Sequence, residues 1–189
     1  MSESDPSLVA RTLADALAAE GVPYALGGAL AHAYWGVPRA TKDADFNVFV
    51  GVERVADVAR ALAAAGVTCE LAELERCAAN GDNARARAGS VVVDLFFNSI
   101  PLHVSAAARV VERPLHGRPI RLLSAEDLIV LKLLFFRGKD LVDVQQVIGL
   151  QRDSLDRDYV RRWLVELVGQ DNERVAKWDE LAAAFPCSV

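Results

Sequence analysis

The sequence predicts an α+β fold, a small mixed β-sheet core with flanking helices over residues 1–123, followed by a helical C-terminal part, 124–189, packed on it. Three observations carry this. A short apolar run, Tyr24-Ala25-Leu26, leads through Gly27-Gly28 into a stretch of helical composition and then into Asp43–Val50, giving the order strand, helix, strand. Val91–Phe97 is β-branched and aromatic, the composition of a further sheet strand. From Ser124 the character changes: an N-cap serine and two acids precede Leu128, Leu131, Lys132 and Phe135 at helical spacing.

Taken in order, Asp5–Glu20 carries Leu8, Val9, Leu13, Leu17 and Ala18 near a period of 3.6, and Gly21-Val22-Pro23 stops it, so an amphipathic helix is predicted against one sheet face. Gly28–Trp35 follows the first strand as a helix, and Gly36-Val37-Pro38 turns the chain towards the acidic strand. Val52–Ala65 is an alanine-rich helix ended by Gly66, and Val67–Leu71 has the composition of a strand continuing towards Cys77. Ala79–Asn83 is turn chemistry, and Arg85–Ala88 with Val91–Phe97 predicts a hairpin across Gly89-Ser90. Ala108–Glu112 and Arg118–Leu123 read as two short strands. Helices are predicted to Gly138, from Lys139-Asp140 through Gly149, over Asp156–Val168 and over Asn172–Phe185.

Composition removes several classes of function. With 52% hydrophobic residues the chain has material for an ordered core, yet no apolar run approaches the roughly 20 residues that span a bilayer. The start carries acids, Glu3 and Asp5, where a secretory signal carries bases, so a cytoplasmic protein is expected. A net charge of −5 argues against a globally basic nucleic-acid binder and leaves room for a local basic groove. Cys69, Cys77 and Cys187 lack the spacing of a disulfide framework or zinc site and are read as packing residues or free thiols. His32, His103 and His116 share no metal-ligand spacing, and Trp35, Trp163 and Trp178 are read as core anchors.

The chemistry gathers between Gly27 and Asp45. Glycines at a strand-to-helix turn let backbone N–H groups face an anion, for which phosphate is the natural guest, although two glycines at a turn are often only a turn. Asp43 and Asp45 alternate on a strand, and a period of two places both on one face, where their mutual repulsion calls for a cation unless they lie on a solvated edge. Magnesium takes carboxylate and phosphate oxygens, so this order reads as a metal–nucleotide site. Asp94 stands in an otherwise apolar strand, and burying it costs several kcal/mol (about 2–7) unless a cation or hydrogen bonds compensate. If its strand lies beside the first acidic one, Asp94 becomes the third carboxylate. Lys132, flanked by leucines, has the alternative of snorkelling to the surface, and Asp140 and Asp143 that of helix capping.

Gly27-Gly28, Arg39-x-Thr41-x-Asp43-x-Asp45 and Asp94 together resemble the nucleotidyltransferase fold of the DNA polymerase β superfamily. The run Asp127–Val144, with Lys132 and Arg137-Gly138-Lys139-Asp140, is similar to its AbiEii-type branch, which includes nucleotidyltransferase toxins of toxin–antitoxin systems. The resemblance implies that an NTP is substrate, that Gly27, Gly28, Arg39, Thr41, Lys132 and Asp140 bind it, and that Asp43, Asp45 and Asp94 hold Mg2+, as two ions. It further implies that Asp94 can take the acceptor's proton and that Asp140 and Asp143 orient the helix pair. The acceptor implied is a hydroxyl of a tRNA 3′ end or of a protein, with an antitoxin as a further partner. Two rivals remain: an antibiotic-modifying nucleotidyltransferase and a non-catalytic, antitoxin-like nucleotide-binding module.

Overall fold

The computed structural model describes residues 5–186, so Cys187 lies outside the described residues. Helix α1, Pro6–Ala19, begins where the Asp5 carboxylate accepts from the Ser7 N–H at 2.8 Å, with Pro6 at a position that needs no donor. Its stripe of Ala10, Leu13, Ala14 and Leu17 is fully buried. There follow β1 Tyr24–Leu26, α2 Gly28–Trp35, β2 Asp43–Val48, α3 Val55–Ala64, α4 Leu71–Asn80, β3 Asn83–Ala88, β4 Val91–Phe97, α5 Pro101–Ala108, β5 Val111–Leu115 and β6 Arg118–Leu122. The C-terminal helices are α6 Ala125–Phe135, α7 Gly138–Gln151, α8 Arg157–Val168 and α9 Glu173–Ala184.

The six strands form one mixed sheet in the order β3-β4-β2-β1-β6-β5. β2 runs parallel to β4, and β1 to β6, while the other neighbours are antiparallel. Because ladder partners share a face, the register sorts the sheet into two chemistries. One face carries Leu26, Ala44, Phe46, Val48, Ala84, Ala86, Val93, Leu95 and Phe97, all buried. Helix α1 packs on β1, β2, β4 and β6 and against α3. The opposite face carries Arg85, Arg87, Asp94, Asp43, Asp45 and Asn47. The apolar face supplies the stability that lets the other be polar.

Two compact units divide the chain, residues 1–30 with 40–123, and residues 31–39 with 124–189. The first holds the sheet with α1, α3, α4 and α5. In the second, α6 packs against α7, α8 and α9 around Ile129, Leu133, Val147, Val160, Leu164 and Trp178. Each of α6, α8 and α9 starts at a side-chain cap: Ser124 accepts from Asp127 N, Asp156 from Tyr159 N and Asn172 from Arg174 N. Among the described residues no helix is long and apolar enough to cross a membrane.

One predicted element is replaced. The strand expected over Val67–Leu71, continuing towards Cys77, is not formed; only Thr68 bridges the sheet, at Arg87, and Leu71–Asn80 is helix α4. Leu74 and Cys77 stand one turn apart and are both buried, a helical spacing among helix-forming residues, and Gly81 closes the helix in the left-handed conformation at φ +69°. Helix α5 occupies a stretch with no predicted element, so the strand expected from Ala108 begins at Val111.

Phe46 is fully buried at the centre of the apolar face, and Phe46→Ala is expected to cost about 4 kcal/mol. Urea unfolding measures this, and a loss below about 1 kcal/mol would contradict the face assignment.

Candidate active site

In the first unit the ladder places three of the predicted acids on one face. Asp45 on β2 pairs with Asp94 on β4, and Asp43 stands two residues before Asp45 on the same face. On the far side of β4, Asp94 pairs in turn with Arg85 of β3. Towards the sheet centre, Gly27 N donates to Asp45 O at 2.8 Å, extending the β1–β2 ladder to the glycine turn. One transverse row therefore reads Arg85, Asp94, Asp45, then the turn at Gly27 and Gly28.

That turn requires glycine. Gly28 has φ +56°, and a Cβ there would lie 1.8 Å from Asp45 Oδ2. At Gly27 a Cβ would meet Asn47 Nδ2 at 2.9 Å. The Asp45 carboxylate thus lies against the start of α2 in space any other residue would fill. Thr41 sets the entry to β2, its Oγ1 accepting from Asp43 N at 3.2 Å.

Asp94 is 9% exposed, and the cation beside it in this structure is an arginine: Arg85 Nε donates to Asp94 Oδ1 at 3.0 Å. The two-residue turn at Gly89-Ser90 already fixed this pairing, because counting back from it sets 88 opposite 91 and 85 opposite 94. As donors, carboxylate oxygens on one face suit a hard ion such as Mg2+, and the cradle at Gly28 keeps the Asp45 carboxylate against open backbone. Among the described residues no group of three or more His, Cys, Asp or Glu side chains is gathered so as to hold a metal ion.

The remaining predicted residues, Arg39, Lys132 and Asp140, lie in the second unit, around an acid with little assigned to it by the sequence. Asp143, 1% exposed, accepts from Arg39 Nε on Oδ1 and Arg39 Nη2 on Oδ2, each at 3.0 Å, and from Lys132 Nζ on Oδ2 at 2.6 Å. Lys132 is 5% exposed, so it does not snorkel, and it also lies 3.8 Å from Asp140 Oδ1. Asp140 caps α7 at its third residue and accepts from Arg137 Nε at 2.6 Å and Nη2 at 3.2 Å. His32, fully buried on α2, hydrogen-bonds through Nε2 to the Asp143 carbonyl at 3.3 Å, while its Nδ1 is buried without a partner. Burial raises the Asp143 pKa, but hydrogen bonds from Arg39 and Lys132 outweigh it and hold the carboxyl down to about 2. Burial also pushes His32 and His103 below the ordinary imidazole value.

The profile of the AbiEii family, described as nucleotidyl transferase AbiEii toxin of a type IV toxin–antitoxin system, matches residues 11–184. The chain belongs to the AbiEii nucleotidyltransferase family. As a member it is a nucleotidyltransferase, an enzyme that moves a nucleoside monophosphate from an NTP. A comparison with curated proteins returns no match. Among solved structures, the solution structure of the antibiotic-resistance factor ANT(2″)-Ia is similar at 16% identity and TM-score 0.59, over 92% of this chain and 95% of that one. The crystal structure of ANT(2″)-Ia with adenylyl-2″-tobramycin matches at 16% identity and TM-score 0.58, over 93% and 98%. An antigenic nucleotidyltransferase-like protein from Paracoccidioides brasiliensis matches at 15% identity and TM-score 0.54, over 97% and 94%. These likenesses establish the fold.

Two outcomes are expected of this AbiEii-family enzyme. Gly28→Ala forces a left-handed alanine and displaces Asp45, costing about 1–3 kcal/mol in urea unfolding together with nucleotidyl transfer; full activity in this variant would contradict the contact. Acid weakens the fold in two steps. His32 and His103 favour the neutral form when folded, so stability falls as pH drops below about 6.5. Asp143 has a depressed folded pKa, so its contribution is complete above the unfolded value near 4 and is lost as pH falls towards 2. Asp143→Asn should remove the lower step in pH-dependent unfolding and cost about 3–5 kcal/mol at neutral pH by taking away the buried carboxylate that Lys132 and Arg39 share.

Proposed function

We propose that the protein is a magnesium-dependent nucleotidyltransferase that moves a nucleoside monophosphate from an NTP to a hydroxyl of a tRNA 3′ end, with a protein hydroxyl as the next acceptor, and that it serves as the toxin of a toxin–antitoxin pair. The observation that carries the reading is the register Asp45 opposite Asp94, with Asp43 on the same face and Gly28 against Asp45. Asp43 and Asp45 would hold the metal, and Asp94 would join them or take a proton. Bound there, the metal supplies charge neutralisation for the phosphates and the leaving group. In this reading the backbone N–H groups of the turn at Gly27 and Gly28 face the NTP phosphates beside the Asp45 carboxylate. Thr41 fixes Asp43, while the assignment of Arg39, Lys132 and Asp140 to the NTP rests on the family resemblance.

In the reaction the acceptor oxygen bonds to the α-phosphorus as the bond to the bridging oxygen breaks. Pyrophosphate leaves, and the hydroxyl proton passes to an Asp94 carboxylate oxygen. Positioning and charge do the work, as phosphoryl chemistry requires. A second reading, transfer to an antibiotic, is favoured by the fold likeness to ANT(2″)-Ia, whose crystal structure holds adenylyl-2″-tobramycin.

Incubation with each labelled NTP, Mg2+ and either total tRNA, cell-extract protein, tobramycin or a lincosamide separates the two. Label is expected in tRNA or protein and is expected to fall at least about 1000-fold in Asp43→Ala and Asp45→Ala, equivalent to about 4 kcal/mol of barrier. Label moving only to a drug would establish the second reading. No transfer, or transfer that survives Asp43→Ala, would overturn both.

A further inference from the structure

We propose, resting on the reading of Asp43, Asp45 and Asp94 as the metal-holding acids, that Arg85 is a positioning residue that competes with a divalent ion for Asp94. It holds that carboxylate until an ion arrives and then withdraws to a groove at the sheet edge. Two features carry this. The Arg85–Asp94 pair is lopsided, with the Asp94 side chain 13% exposed and the Arg85 side chain 63% exposed. Its hold is one hydrogen bond, Nε to Oδ1 at 3.0 Å, unlike the two-pronged grip of Arg39 on Asp143. A largely solvated cation thus pairs with a largely buried acid, the kind of pair a bound ion displaces at little cost.

The second feature is the place to which Arg85 can go. A groove of about 710 Å3 lies along β3, lined by Leu62, Ala63, Val67 and Thr68 as well as by Arg85 and Arg87. Arg85 therefore borders both Asp94 and this groove, and a change of side-chain rotamer separates the two stations. While it is on Asp94, the arginine offsets the repulsion between Asp94 and Asp45, which the ladder sets opposite one another. The acids are thus held in register without a metal, and the same contact lowers the affinity of the site for its second ion.

Arg87 provides the control, since it has the same charge, strand and face but stands opposite Val92. Mn2+ binding to the nucleotide-free protein, followed by the electron paramagnetic resonance of the free ion, is the measurement. Arg85→Gln is expected to tighten the weaker Mn2+ site about 5-fold, and Arg87→Gln to change it less than 2-fold. Asp45→Asn is expected to weaken Mn2+ binding at least 10-fold. Equal or weaker binding by Arg85→Gln overturns the inference, as does equal tightening by Arg87→Gln, which would mean a general charge effect. If Asp45→Asn leaves binding unchanged, the ion lies elsewhere and the metal reading falls with it. If Asp45→Asn weakens binding and Arg85→Gln does not tighten it, only the role of Arg85 falls.

Discussion

Strand β2 lies between β1 and β4, antiparallel to the first and parallel to the second, and this placement governs what the polar face can do. On one side it brings Asp45 against Gly28, with no room for even a methyl group. On the other it sets Asp45 opposite Asp94. A shift of one residue in either ladder would turn the acids into the apolar core and bring Ala44, Phe46 and Val48 to the surface. The hydrophobic packing of α1 on the opposite face therefore fixes the register of the acids as well as the fold. Stability and site geometry are two faces of one strand.

The two clusters of charge solve the burial of carboxylates differently. Asp143 is enclosed by Arg39 and Lys132 in three hydrogen bonds and is driven to a low pKa, the signature of a structural hub that stays ionised. Asp94 has one exposed arginine as its partner. A carboxylate held in that way is accessible to chemistry, whereas Asp143 is committed to its neighbours. Gly36 belongs to the first solution, because a Cβ there would lie 2.3 Å from His32 Nε2 and push the ring off the Asp143 carbonyl.

Much of the sheet was legible because its signals are local. The period of two around Asp43 and Asp45, the glycine pair after Leu26 and the two-residue turn at Gly89-Ser90 each fix geometry within a few residues. That turn also contained the Arg85–Asp94 pairing, which follows from counting outward from it. Helix α4 replaces the expected strand because Leu74 and Cys77, buried one turn apart, override the β propensity of Val67 and Thr68. The Asp143 cluster was illegible for a different reason. Arg39 and His32 reach it across 104 and 111 residues of sequence, and no local pattern encodes such a meeting.

Membership of the AbiEii family supplies the class of chemistry, and the ladder sets Asp45 opposite Asp94. The central claim is that Asp43 and Asp45, braced by the glycine turn, hold the metal beside the nucleotide phosphates. A crystal structure with Mn2+ and a non-hydrolysable NTP analogue, read by anomalous scattering, tests this most directly. The account predicts a peak about 2.1 Å from oxygens of both Asp43 and Asp45, with the phosphates along Gly27 and Gly28. A peak that contacts neither acid, or phosphates bound away from the glycine turn, would contradict it.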